Sequence, residues 1–339
     1  FGTNVLGSTD IDPMLLRWSD QEDAVNWTPS ATNQAGDLRL SKGSEIITAL
    51  QGRQEILVWT DSALYALQYV GAPAVWGSQT VGENLSIAST RAVAYANGVA
   101  YWMGVGGFYR YDGRVQTLPC TLKRYIFNDF NTEQYDQVFA GTNEGFSEIW
   151  WFYCPSGSTT ASRYVIYNYA QNIWYYGNLS RTAWIDSGIR DFPLAATYNN
   201  NVVNHEDGID DNETGTNAGI SSFITSAQFD LDDGHRFAFI QKVYPDVTFD
   251  GSTAESPSAT LSLFAAQNSG SGRNSPASEG GTNTGSITRT ATAPIEAFTS
   301  RLDLRVRGRQ LALKIESSDA GVKWQLGSPR LEMRPDGRR

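Results

Sequence analysis

Residues 92–118 read AVAYANGVAYWMGVGGFYRYDGRVQTL and carry the clearest β signal in the chain. Asn97-Gly98 lies between two short apolar runs, a strong local signal for a hairpin with a type I′ turn. Asp112-Gly113 follows a Tyr-rich run and precedes another strand-like run, which predicts a second hairpin. Residues 104–107, GVGG, join the two hairpins and are read as a β-turn. The segment therefore predicts four short antiparallel strands in succession.

Similar strand groups recur at a spacing of roughly 40 residues, the period of a β-propeller blade. In residues 148–153, EIWWFY, every position after the first is bulky or apolar, as in a strand covered on both faces. We expect residues 1–219 to form a β-propeller-like region. A short helix near residues 121–130, capped by Thr121, is predicted as an insertion. The strand groups cover residues 55–69, 92–118, 138–176 and 183–203.

The opening segment gives weaker signals. Residues 10–43 mix turn residues with Trp18 and Trp27, and are interpreted as a long loop or a peripheral segment with tryptophan anchors. The chain starts at Phe1, so we expect it to be part of a longer or processed polypeptide. No signal peptide is visible, and no run of 18 apolar residues predicts a transmembrane span.

The C-terminal part has a different pattern. Apolar and polar residues alternate in residues 302–307 and again in residues 311–316, as in an antiparallel sheet with one wet face. We therefore expect residues 220–339 to form an antiparallel β-sandwich-like region. Residues 267–294 are rich in Gly, Ser, Thr and Asn, which predicts a mobile loop between strands. The fold class is thus all-β, with a propeller-like region followed by a sandwich-like one.

Charge is unevenly distributed along the chain. The net charge is −10, which does not favour a simple nucleic-acid-binding protein. From Arg301 to the end there are ten Lys and Arg against five Asp and Glu, so this tail carries +5 and the preceding residues −15. The basic tail could touch nucleic acid or anionic lipid. The favoured alternative is that it pairs with acidic residues of its own or a neighbouring subunit.

Residues suited to catalysis are scarce. His205 and His235 are the only histidines, and no Gly-x-Ser-x-Gly elbow presents a serine. Cys154 ends an aromatic run and is interpreted as a buried small hydrophobe. A bond between Cys120 and Cys154 is neither predicted nor excluded. We predict that the chain is not an enzyme and assign no catalytic, cofactor-binding or metal-binding residue and no cofactor.

Acidic and aromatic residues leave two alternatives open. Residues 205–213, HEDGIDDNE, contain oxygen ligands suited to Ca²⁺, but the spacing does not match an EF-hand and a solvated loop is favoured. The pairs Asp210-Asp211 and Asp232-Asp233 are interpreted as turn formers rather than a glycosidase pair. The many Trp and Tyr residues are interpreted as blade cores in preference to a sugar-binding platform.

Several short stretches together resemble one known family. They are residues 18–20 (WSD), 27–29 (WTP), 54–61 (QEILVWTD), 113–120 (GRVQTLPC), 308–310 (GRQ), 324–327 (WQLG) and 334–339 (RPDGRR). With these stretches, the chain resembles tail proteins of short-tailed bacteriophages, of the nozzle or packaged-DNA-stabilisation type. The motifs are structural rather than catalytic, so no functional residue is carried over.

The resemblance implies a structural role in the virion tail. Such a subunit bears a β-propeller, assembles with copies of itself as a six-fold ring below the head-to-tail adaptor, and offers surfaces for tail fibres or spikes. The ring surrounds a channel for retention and ejection of double-stranded DNA, contacted without sequence specificity. An acidic lumen would let the duplex slide. The alternatives are a carbohydrate- or receptor-binding propeller module of a tail or cell-surface protein, and a bacterial surface or secreted β-protein.

Overall fold

The computed structural model describes residues 2–230, 235–266 and 287–337. Within these residues the chain consists mainly of antiparallel strands, most of which pair with their neighbours in sequence. It divides into two compact units, the first extending to His205 and the second starting at Glu206. The predicted all-β class, propeller-like and then sandwich-like, is confirmed.

The first unit is a series of antiparallel meanders, as in propeller blades. All four predicted strand groups occur, although the fourth has three strands. Asn97 and Gly98 both have positive φ, 50° and 81°, as a type I′ hairpin requires. The strands are β1 (Leu15–Trp18) and β2 (Gly36–Arg39); β3 (Ile46–Gln51), β4 (Ile56–Thr60), β5 (Ala63–Gly71) and β6 (Val75–Glu83); β7 (Val93–Ala96), β8 (Val99–Met103), β9 (Phe108–Tyr111) and β10 (Val115–Leu118); β11 (Phe139–Asn143), β12 (Glu148–Tyr153), β13 (Arg163–Asn168) and β14 (Ile173–Asn178); and β15 (Ala183–Ile185), β16 (Leu194–Ala196) and β17 (Val202–Asn204).

Strand β12 is packed on both faces. Successive side chains of a strand point to opposite faces. Trp151 and Tyr153 belong to the largest cluster of buried side chains, whereas Trp150 and Phe152 belong to a separate one. The indole Nε1–H of the fully buried Trp151 donates to the carbonyl of Ala92 at 3.0 Å. The two-sided burial predicted for this run is therefore confirmed.

The ladder of β1 and β2 covers one face of the first meander. Met14, Leu16 and Leu40 form an apolar cluster with Val58 and Tyr65. The expectation of a long loop over residues 10–43 is therefore wrong. Each strand has only four residues, which is too short for an alternating pattern to stand out among the turn residues around it.

A helical segment connects β10 to β11. The single α-helix of the described chain, α1 (Lys123–Asn128), is shorter than predicted and is followed by a 3₁₀ helix over Thr132–Gln137. A second 3₁₀ helix spans Glu144–Phe146. Leu122 rather than Thr121 occupies the N-cap, and no side chain caps the helix, because Thr121 lies one position too early. None of the helices described here is long and apolar enough to cross a bilayer.

The second unit is a β-sandwich. One sheet has the order β20-β27-β24-β25 with β21 also paired to β27, and the other has the order β26-β22-β29. Leu263, Leu311, Ile240 and Val306 share one apolar cluster, which contains buried residues of both sheets. The strands are β18 (Asp210–Asp211), β19 (Ala218–Gly219), β20 (Ser222–Thr225), β21 (Phe229–Asp230), β22 (Ala238–Tyr244), β23 (Val247–Thr248), β24 (Ser258–Ala266), β25 (Ile287–Glu296), β26 (Leu302–Gly308), β27 (Gln310–Ser317), β28 (Gln325–Leu326) and β29 (Arg330–Pro335).

The predicted loop over residues 267–294 is partly wrong. Residues 287–294 belong to β25, which pairs along its length with β24. Ala291 and Ala293 pack against the core, and the threonines between and before them are exposed. The alternation was present, but alanine and threonine gave too small a polarity contrast for it to be recognised. Residues 267–286 lie outside the described part of the chain.

The boundary between the units lies at 205/206, whereas the sequence placed it at 219/220. Strands β18 and β19 cluster with the second unit. The Asp210 carboxylate accepts a hydrogen bond from the Gly321 backbone N–H at 2.6 Å. A Cβ at Gly219 would collide with the backbone of Ser318, so the two segments are in close contact. These contacts are non-local and left no signal in the local sequence.

Candidate functional site

His205 has a structural role, which is to bind a buried arginine. Its Nε2 accepts a hydrogen bond from Nε of Arg181 at 3.0 Å, and its ring centroid lies 4.7 Å from that of Trp184. Arg181 is buried. A buried guanidinium requires acceptors, because an unpaired buried charge is strongly destabilising. The imidazole lone pair is therefore used to hold Arg181.

Both cysteines are free thiols. Burial raises the pKa of Cys120 to about 12 and that of Cys154 to about 11. The thiolate is the nucleophilic form of cysteine, so neither side chain is activated at neutral pH. The Cys154 thiol donates to Oε1 of Gln137 at 3.7 Å. Cys154 is a buried small residue, as the sequence indicated.

Residues 205–209 of the acidic segment form bends, but Asp210 and Asp211 form strand β18 and pair with β19, so their interpretation as turn formers is wrong. The Asp211 carboxylate accepts the backbone N–H of Glu213 at 2.9 Å, and Asp210 holds Gly321 as described above. Across the described ranges, no three His, Cys, Asp or Glu side chains are grouped so that they could hold a metal ion. The other acidic pair, Asp232-Asp233, lies outside those ranges.

The outward face of the sheet β26-β22-β29 is the most distinctive polar surface of the second unit. Leu304 and Val306 of β26 are buried in the core, so Arg305 and Arg307 lie on the opposite face. In register, Phe239 of β22 pairs with Arg307 on one side and Arg334 on the other. We call this surface the arginine face; it comprises Phe239, Lys242, Tyr244, Asp303, Arg305, Arg307, Arg330, Glu332 and Arg334.

Aromatic rings hold two of these guanidinium groups. Arg307 lies over the Phe237 ring at 4.0 Å from its centroid, and Arg334 lies over Phe239 at 4.9 Å. Nε of Arg307 also donates to the Asp336 carboxylate at 2.6 Å. Stacking on a ring leaves the edge of a guanidinium able to donate to another group. The face therefore combines fixed cations with apolar surface.

The charges on this face are only partly compensated. Lys242 pairs with Glu332 at 3.0 Å, and Arg301, just before β26, pairs with Asp303 at 3.1 Å. Arg305 and Arg330 are exposed and have no ion-pair partner within the described ranges. The three strands carry five basic and two acidic residues, whereas the whole chain has a net charge of −10. The alternative of internal pairing thus accounts for part of the basic tail only.

A cleft of about 670 Å³ lies at one end of the arginine face. Tyr244, Arg330 and Glu332 belong to both the face and the cleft. Asp246 also lines the cleft, and its Oδ2 accepts a hydrogen bond from the backbone N–H of Ser328 at 2.5 Å. The cleft extends the exposed surface beside the unpaired Arg330. The sequence indicated a solvent-facing sheet surface and a basic tail. It did not indicate that the basic residues of the tail share one face with β22, because β22 precedes β26 and β29 by many residues.

Comparison with known proteins gives little further information. No family model and no curated protein matches the chain. Among solved structures, it is similar to Hsv2 of Kluyvelomyces marxianus, with a TM-score of 0.32, 6% identity and coverage of 51% of each chain. It is also similar to the Pan2 WD40 domain of Neurospora crassa, with a TM-score of 0.28, 11% identity and coverage of 45% of this chain and 43% of that one. The chain thus spans about half the length of these proteins.

Proposed function

We propose that this chain is a structural subunit of the tail of a short-tailed bacteriophage, part of a nozzle or hub ring that retains and releases DNA. The sequence resemblance described above motivates the proposal. The structural observation that supports the proposal is the arginine face. Exposed cations on a regular surface can contact the phosphates of a DNA duplex without reading its sequence.

Three tryptophans in the stretches that carry the resemblance have structural roles. The Trp18 indole donates to the carbonyl of Gln34 at 2.8 Å, and Trp59 is fully buried. The Trp324 indole donates to Oγ of Ser222 at 2.8 Å. These roles agree with a family whose shared motifs build a scaffold rather than a reaction centre.

The spacing of the arginine face suits a polyanion. Arg307 and Arg334 flank Phe239 on adjacent strands, which places their backbones about 10 Å apart. Duplex DNA presents one negative charge per about 1.7 Å of its axis, so several phosphates lie within this span. The acidic remainder of the chain would repel DNA elsewhere. We infer weak, local contact with the backbone, as a channel that must later release its DNA requires.

The assembly part of the proposal is tested by electron cryomicroscopy of virions containing this protein. We expect a closed ring of copies around a channel wide enough for duplex DNA, which is about 20 Å across. Copies found singly at the periphery, or absent from the particle, would contradict the proposal.

The DNA part is tested by measuring duplex binding of the full chain against salt concentration. We expect the triple variant R305Q/R330Q/R334Q to bind more weakly and to lower the slope of log K against log salt by up to about three, at about 0.9 per phosphate contact. The double variant R53Q/R114Q, which removes exposed arginines of the first unit, is the control and should keep the slope. Equal slopes for the triple variant and the wild type would exclude the arginine face as the DNA contact.

A further inference from the structure

A small cleft in the first unit has aromatic walls. It lies where the β1–β2 ladder meets the β5–β6 hairpin and has a volume of about 290 Å³. None of its lining residues is Lys, Arg, His, Asp or Glu, so the cleft combines aromatic surface with uncharged polar groups. We call it the aromatic cleft; it is lined by Trp18, Ser19, Gln21, Gln34, Tyr69, Val75 and Trp76.

Trp18 is held in one orientation. Its six-membered ring lies against Gly36 on the paired strand, where a Cβ would collide with it. Its Nε1–H donates to the carbonyl of Gln34 at 2.8 Å. Close contact on one side and a hydrogen bond at the ring edge leave the indole little freedom. This wall of the cleft is therefore formed before any ligand arrives.

The other aromatic side chains that line the cleft form a cross-strand pair. Tyr69 of β5 pairs with Trp76 of β6, and their ring centroids are 5.9 Å apart at 78°. Tyr69 is 61% exposed, although a large ring usually gains from burial. Val75, at the start of β6, has a φ of 60°, which a β-branched residue rarely adopts. Unfavourable backbone geometry of this kind tends to be retained where it positions functional groups.

Two glutamines supply polar groups. The backbone N–H groups of Gln21 and Gln34 both donate to Oδ1 of Asp20, at 2.8 and 2.7 Å, which fixes the two residues side by side. Their side-chain amides have no hydrogen-bond partner among the residues that the structure describes. Each amide offers both a donor and an acceptor to a ligand.

We propose that the aromatic cleft binds one ring of a neutral saccharide. The apolar face of a pyranose fits flat against an aromatic ring, and its hydroxyl groups both donate and accept hydrogen bonds, as the glutamine amides do. The volume is at the lower end of ligand pockets, which suits a single sugar ring rather than a longer ligand. This site is independent of the proposed role in DNA passage.

The composition of the cleft disfavours other small ligands. A phosphate or carboxylate would need a cation, and the cleft has none. A quaternary ammonium ion binds aromatic cages through cation–π attraction, but it would leave the amide donors unpaired. A neutral polyol ring satisfies both the aromatic walls and the amides.

The test is saturation-transfer difference NMR on the full-length protein, with maltose, cellobiose, lactose and diacetylchitobiose as separate probes. We expect transfer to ring protons of at least one disaccharide. Tyr69→Ala should weaken that binding by about tenfold or more, and Gln34→Ala should also weaken it. The exposed aromatic control Tyr175→Ala, in a strand of the third meander, should bind as the wild type does.

Three outcomes would overturn the proposal. They are absence of transfer to all four disaccharides, equal binding by the Tyr69 and Tyr175 variants, and binding of choline in place of every sugar. Circular dichroism of each variant separates loss of the site from loss of the fold. Tyr69→Phe, which keeps the ring, should retain most of the affinity if stacking is responsible.

Discussion

The two units bury their sheets with different side chains. Nine of the ten tryptophans and fifteen of the sixteen tyrosines precede Glu206. The core of the second unit consists mainly of Leu, Ile, Val and Ala. In the first unit, the sheets β3–β6 and β11–β14 each contribute buried side chains to two separate clusters, whereas the sheet β26-β22-β29 has one face in the core and one rich in arginine. This difference indicates that the aromatic runs of the first unit are explained by burial of both sheet faces, and not by β-structure itself.

The largest expected effect is in the first unit. Trp151→Ala should lower the free energy of unfolding by about 4 kcal/mol, because it leaves a cavity beneath Phe108 and removes the indole hydrogen bond to Ala92. Urea denaturation followed by circular dichroism measures it. Trp27→Ala, at a half-exposed position, is the control and should change stability little. A Trp151 effect below 1 kcal/mol would contradict the assigned core.

A somewhat smaller effect is expected in the second unit. Leu263→Ala should cost about 3 kcal/mol, since the truncated side chain lies between the two sheets and removes fewer contacts than an indole. The same urea titration applies. Ile224→Ala, on the edge strand β20 and 47% exposed, is the matched aliphatic control. If both variants lose the same stability, the sandwich core is misassigned.

Gly141→Ala tests the contact between the third and fourth meanders. The new methyl group would overlap the Trp184 ring, which lies on Gly141 and donates to the carbonyl of Thr142 at 2.8 Å. Overpacking of this kind costs about 1–3 kcal/mol. Thermal unfolding should show a lowered Tm, while Gly145→Ala, where a Cβ meets only one atom at 3.9 Å, should not. An unchanged Tm would mean that the tryptophan moves aside freely.

The smallest effect concerns pH. Burial alone raises the pKa of Asp61, but hydrogen bonds from the side chain and backbone of Ser44 outweigh it, so the net pKa is lowered. A lowered folded-state pKa stabilises the protein above the ordinary Asp value of about 3.9 and loses that contribution as pH falls through it. Asp61→Asn should therefore be slightly less stable than the wild type at pH 7 and equal to it near pH 2. Urea denaturation at pH 7 and near pH 2 measures this, and the same stability difference between variant and wild type at both pH values would contradict it.

The sequence predicted strands better than sites. The strand groups and the hairpin at Asn97 were recognisable because turn chemistry and side-chain period are local. The aromatic cleft was not, because Trp18 and Trp76 come from segments nearly sixty residues apart and looked like anchors and core residues. The one hint was the abundance of Trp and Tyr, which left a sugar-binding platform as the alternative to blade cores.

Local sequence by itself determined the all-β class, the position of the meanders and the change to an alternating pattern in the C-terminal part. Tertiary structure alone decided that residues 287–294 form a strand, that β18 and β19 join the second unit, and which polar side chains come together. The physical reason is the distance along the sequence over which each effect acts. Backbone period and turn preference act over a few residues, whereas Arg307, Phe239 and Arg334 become neighbours only when three distant strands pair.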